Sequence, residues 1–133
     1  MNAQIRWKQR FENFKRAFLL LEEAVNSQVT SKLEKEGIIQ RFEYTFELAW
    51  KTLKDYMRYE GIEADLPRDI IKHAFANGLI KDGQVWINML ESRNLMAHVY
   101  DEHIFVKAYT KITQEYTAAI KQVFDILNAK DKD

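Results

Sequence analysis

The chain has 133 residues, 47% of them hydrophobic and 13% aromatic, which suffices for one domain with a real core and is too little for two. Twenty basic residues balance twenty acidic ones, so the bulk charge excess of a duplex-DNA binder is missing. The lack of cysteine excludes disulfides and thiolate-bound zinc. The first residues, MNAQIRWKQRF, hold no apolar leader, and no run approaches the roughly 18 apolar residues of a membrane helix, so a soluble, cytoplasmic protein is expected.

Trp7, Phe11, Phe14, Phe18, Leu21 and Val25 recur at alternating spacings of four and three, which predicts an amphipathic helix over about 3–26. The cations Arg6, Lys8, Arg10, Lys15 and Arg16 are interspersed with Glu12, Glu22 and Glu23 and read as its solvated face. Ser31 and Glu34 suit a capping box opening a second helix, whose face Phe42, Phe46, Ala49, Leu53 and Met57 carries it to about Tyr59, with Gly61 as the stop. Pro67 suits the first turn of a short helix over about 68–77, closed by Gly78. Asp82 then caps a helix running to about His98. Asp101 caps the last one, on which Ile104, Ala108, Ile112, Ala119, Val123 and Ile126 line one face. Only four glycines and one proline interrupt the chain, and no segment alternates with the period of a strand. The expected fold is all-α: an up-and-down bundle of four to five helices in a single domain over 1–133, with residues 129–133 frayed.

The chemistry-bearing residues cluster in Arg93-Asn94-Leu95-Met96-Ala97-His98-Val99-Tyr100. An arginine can hold a phosphate with its fork of donors, and a histidine can move a proton near neutral pH. On a regular α-helix Arg93 and His98 diverge by about 140°, whereas Asn94 and His98 share a face. On spacing alone, surface or capping roles are the favoured reading of both side chains. Phe42, Phe46 and Trp50 have the spacing of core or dimer contacts rather than of a base-stacking platform. Arg41, Glu43 and Glu47 fall mostly on the other side of that helix, where a solvated face and a substrate or partner contact are both open. His73 has no neighbour at metal-ligand spacing. His98 and His103 straddle a helix break with Asp101 and Glu102 and match no metal motif, so neither metal nor cofactor is expected.

Three stretches together resemble one family. LESRNLMAHVYDE is similar to the Arg-x-x-x-x-His motif of HEPN-domain ribonucleases, with Asn directly after the Arg and Tyr two residues beyond the His. QRFEYTFELAWKTLKDYM and LPRDIIKHAFANGLIKDGQVWINML resemble the second-helix and central segments of the HepT-like branch, also called nucleotidyltransferase substrate-binding proteins. The likeness spans about 38–103 in the expected order, departing at Leu66, where relatives carry a small polar cap. The resemblance implies a homodimer whose two motif segments share one cleft. It assigns Arg93, Asn94 and His98 to metal-independent RNA cleavage; Arg41, Glu43, Glu47 and Asp101 stand beside them as candidate substrate or partner contacts read from their positions. It also implies a toxin–antitoxin pairing with a minimal nucleotidyltransferase that modifies Tyr100, or alternatively a noncatalytic subunit of a two-component nucleotidyltransferase.

Overall fold

The computed structural model describes residues 2–133, and among these residues there are helices and connecting turns but no strand. Helix α1 spans Ala3–Val25 and α2 spans Lys32–Tyr59. A short turn joins them, and two cross-links fix them as an antiparallel pair. Arg10 Nε donates to Asp55 Oδ2 at 3.0 Å at one end, and Arg41 Nη1 donates to the Leu20 carbonyl at 2.6 Å at the other. The Ser31–Glu34 capping box forms as the sequence predicts, each side chain satisfying the other's backbone N–H. Gly61 ends α2 with φ of 89°, a left-handed conformation that side chains with a Cβ rarely adopt.

Helix α3 covers Pro67–Ala76, and Leu66 before it offers no side-chain cap, as its aliphatic chemistry requires. Helix α4 covers Gly83–Ser92, capped by Asp82 through a bond from the Val85 N–H at 3.2 Å. It does not continue to His98. Arg93–His98 is instead wound as a 3₁₀ segment. Helix α5 (Glu102–Lys111) follows, capped by Asp101, and passes through a π turn at Ile112–Tyr116 into α6 (Thr117–Asp131).

The π turn corrects the predicted stripe of the last helix. The expected positions Ala119 and Ile126 are only partly buried, whereas Ile120, Phe124 and Leu127 lie in the core. A π turn holds one more residue than an α turn, which brings Ile120, Phe124 and Leu127 inward beside Val123, the one expected position beyond the turn that does lie in the core. The C-terminal end differs as well. Residues expected to fray over 129–133 continue the helix to Asp131, and Lys8 Nζ of α1 donates to the Asp131 and Asp133 carbonyls at 2.8 and 3.2 Å.

The core is aromatic. Phe11, Phe14 and Phe18 of α1 surround Phe124 of α6 at centroid distances of 5.7, 5.9 and 4.8 Å. On the other side of the bundle, Phe42 of α2 stacks on Tyr116 at 5.4 Å, and Phe46 meets Trp86 of α4 at 5.9 Å. Phe42, Phe46 and Trp50 are thus structural, and their rings are unavailable for stacking on a base. No helix is long and apolar enough to cross a membrane, and no three His, Cys, Asp or Glu side chains converge at metal-binding distance, both statements holding among the described residues.

Candidate functional site

The motif lies on the 3₁₀ segment, and the winding decides which side chains face which way. With three residues per turn, positions three apart eclipse one another. Arg93, Met96 and Val99 then form one stripe, Asn94 and Ala97 a second, Leu95 and His98 a third. Burial follows this division: Met96 is buried and Val99 packs against the core, while Asn94, Leu95, Ala97 and His98 are exposed. The α-helical expectation that Asn94 and His98 share a face is therefore corrected. At about 120° per residue they diverge by roughly 120°.

Arg93 leaves the inward stripe and reaches back to α2. Its Nη1 donates to Glu47 Oε1 at 2.9 Å, and Trp50 Nε1 donates to the other oxygen, Oε2, at 3.0 Å. Glu47 is thus held from two sides, by the motif and by the next turn of its own helix. His98 has a different neighbour. Its Nδ1 lies 3.2 Å from the Tyr100 hydroxyl, with the two rings edge to face at 5.9 Å between centroids. Tyr100 is 78% exposed, so its oxygen is open to reagents from solution. The turn carrying it is fixed on both sides: the Asp101 N–H donates to the His98 carbonyl at 3.0 Å, and Asp101 Oδ1 accepts from the His103 and Ile104 N–H groups.

The structure brings the sequence-selected residues together in pairs, Arg93 with Glu47 and His98 with Tyr100. No hydrogen bond joins Arg93 to His98. Arg41 braces α1, Glu43 is exposed without a hydrogen-bond partner among the described residues, and Asp101 caps α5. Two contributors were not selected from sequence. Trp50 orients Glu47, and Tyr116, buried at 2% exposure, places its hydroxyl 3.0 Å from Ser92 Oγ at the junction where α4 gives way to the 3₁₀ segment. Beside that junction is a small apolar cavity of about 160 Å³, lined by Leu95, Met96, Ile104, Lys107 and Ala108 among others.

The family model described as "Nucleotidyltransferase substrate binding protein like" matches residues 9–129. A curated Haemophilus influenzae protein named "Probable ribonuclease HepT" is 32% identical over 81 residues, a match spanning 57% of this chain and 56% of that one. A crystal structure of a Thermus thermophilus protein superposes with a TM-score of 0.79 at 32% identity, covering 86% of this chain and 98% of that one. A second structure, from Haemophilus influenzae and described as revealing "the fold of a substrate binding domain of a nucleotidyltransferase", gives a TM-score of 0.66 at 23% identity. It covers 96% of this chain and 99% of its own, and supports the fold alone.

Proposed function

The chain belongs to the family of nucleotidyltransferase substrate-binding proteins, and we propose that it is a metal-independent endoribonuclease whose activity is controlled by a partner nucleotidyltransferase of the minimal type. The observation that carries this reading is the contact between His98 Nδ1 and the Tyr100 hydroxyl at 3.2 Å on an exposed turn. In the cleavage step His98 takes the proton of a ribose 2′-hydroxyl. The 2′-oxygen attacks phosphorus and the bond to the 5′-oxygen breaks, leaving a cyclic phosphate and a 5′-hydroxyl once an acid supplies a proton to the leaving oxygen. That acid is a second His98, so the full site is a cleft between two copies of the chain. Arg93 balances the charge on the phosphate, Asn94 offers an amide beside it, and DNA is spared because it has no 2′-hydroxyl.

Tyr100 supplies the control. The partner transfers a nucleotide from a nucleoside triphosphate to the Tyr100 oxygen, which gives up its proton as pyrophosphate leaves, and the new phosphate lies against the imidazole, filling the seat of the substrate phosphate and repelling it. The protein then acts as the toxin of a toxin–antitoxin pair. Purified protein is expected to cleave single-stranded RNA in the presence of a chelator, and His98→Ala to abolish this; equal cleavage by the two defeats the proposal. Tyr100→Phe should still cleave RNA yet escape silencing by the partner.

The family description itself favours a second reading, a noncatalytic subunit that presents substrate to the nucleotidyltransferase. It predicts a stable complex with that enzyme and intact RNA at every concentration of this chain.

A further inference from the structure

A phosphate-binding arginine should leave its donors open, yet Arg93 already holds an anion. Its Nη1 is 2.9 Å from Glu47 Oε1, and the pair is only partly exposed, 41% for the Arg93 side chain and 34% for that of Glu47. Such pairs on a protein surface are often incidental, two long side chains meeting by chance. This one is built. The second carboxylate oxygen accepts from Trp50 Nε1 at 3.0 Å, and Trp50 is itself 9% exposed, so the indole is fixed and in turn fixes the carboxylate. Glu47 and Trp50 stand three residues apart on α2, while Arg93 lies 46 residues beyond Glu47. A buried side chain of the second helix thereby sets the plane of the guanidinium on the motif.

The arginine fork has five donors and this contact uses one, leaving Nε and Nη2 with no protein acceptor among the described residues. We propose that Glu47 is a positioning residue for the cleavage site: it fixes the Arg93 guanidinium by Nη1 so that the remaining donors meet the substrate phosphate, and its negative charge weakens the binding of that phosphate. The proposal rests on Arg93 being the phosphate-binding group. The device trades affinity for orientation. A guanidinium already in place loses less freedom when the phosphate arrives and holds it in one geometry, while the neighbouring carboxylate repels the same phosphate through a few ångströms of half-desolvated space.

The trade separates this role from a structural one, because removing the charge should move two observables in opposite directions. Glu47→Gln keeps an acceptor for the Arg93 donor and discards the charge. Its affinity for a fully 2′-O-methylated single-stranded RNA, which cannot be cleaved through the 2′-oxygen, is expected to rise roughly threefold at fixed ionic strength, the size of a partly exposed charge interaction. Its kcat on cleavable RNA is expected to fall by a similar factor. In the Arg93→Ala background the same Gln substitution should change affinity by less than half as much. Three results overturn the proposal: no tightening by Glu47→Gln, full tightening without Arg93, or kcat and affinity falling together. The Arg93→Ala variant alone tests the underlying reading. If it binds the methylated RNA as well as wild type does, Arg93 is not the phosphate-binding group and both ideas fall; if it binds weakly and Glu47→Gln is silent, only the role of Glu47 falls. The Trp50 indole N–H resonance gives a readout independent of both assays, since phosphate arriving at Arg93 should shift it in wild type and not in Arg93→Ala.

Discussion

Replacing Tyr116 by Phe removes one hydroxyl and leaves the ring stacked on Phe42. The lost contact is the 3.0 Å bond to Ser92 Oγ, at the last residue of α4 before the motif begins. A net side-chain hydrogen bond contributes about 1 kcal/mol, and the cost is higher when the surviving partner is shut away from water. Ser92 is only half-buried, so water can reach its oxygen and the cost should stay near about 1 kcal/mol. With a urea slope of about 1.5 kcal/mol/M, that lowers the unfolding midpoint by about 0.7 M; the melting temperature should drop by about 4 °C. Ser92→Ala should cost more, about 2 kcal/mol, because its surviving partner, the Tyr116 hydroxyl, is buried. The double variant discriminates: with both hydroxyls gone neither is stranded, and its loss should be less than the sum of the two single losses. Urea titrations monitored by helical circular dichroism at one fixed protein concentration give all four corners of the cycle. Additive losses would mean that the two hydroxyls do not act on each other, and the account of how α4 is fastened at Ser92 would be wrong.

Four further outcomes are expected. Ser31→Ala breaks the capping box and should cost about 1 kcal/mol. Bonds from the Ser31 hydroxyl and N–H hold the Glu34 carboxyl below its ordinary range, so the carboxylate's share of the cap is present above about pH 4.5 and fades as pH falls through the lowered value; the gap in melting temperature between wild type and variant should therefore narrow in acid without closing, because the bond from the Glu34 N–H to the Ser31 hydroxyl remains. Truncating Arg10 to Ala leaves Asp55, 5% exposed, without its 3.0 Å partner, and should destabilise by about 3 kcal/mol, whereas Asp55→Asn in the same background should recover part of the loss in urea titrations. Gly61→Ala places a Cβ at φ of 89° and should cost about 1 kcal/mol, with no effect expected from the space around it, which is empty within 4 Å. Lys8→Ala should loosen the last turn of α6, read as faster amide exchange at Asp131 with little change in global stability.

Much of the fold could be read from periodicity because its two long helices are regular. The α1 positions Trp7, Phe11, Phe14, Phe18 and Leu21 are all in the core, and the caps at Ser31, Asp82 and Asp101 all form. The two departures from α geometry were not legible. Nothing in RNLMAH forbids an α-helix, and its tighter winding places Met96 and Val99 inward, a preference of the tertiary packing rather than of the six residues themselves. The π turn escaped for a related reason. Ile112, Ala119 and Ile126 make a good α stripe, whereas the π turn seats Tyr116 between Phe42 and Ser92 and buries Ile120, Phe124 and Leu127, contacts with no local signature. Of the site, residue types were visible and pairings were not. The Arg93–Glu47 contact joins residues 46 apart, and no local pattern announces a contact that depends on how α4 lies across α2.

The π turn at Ile112–Tyr116 also bears on how this chain can change. A single inserted residue in a regular helix is the simplest origin of such a turn, and it leaves a helix in two phases, each with its own set of inward positions. Deleting one residue between Ile112 and Tyr116 would let the helix run on as α, and Ile120, Phe124 and Leu127, each then one position earlier, would keep their places in the core. One codon therefore separates two windings of the same helix that bury the same residues beyond the turn.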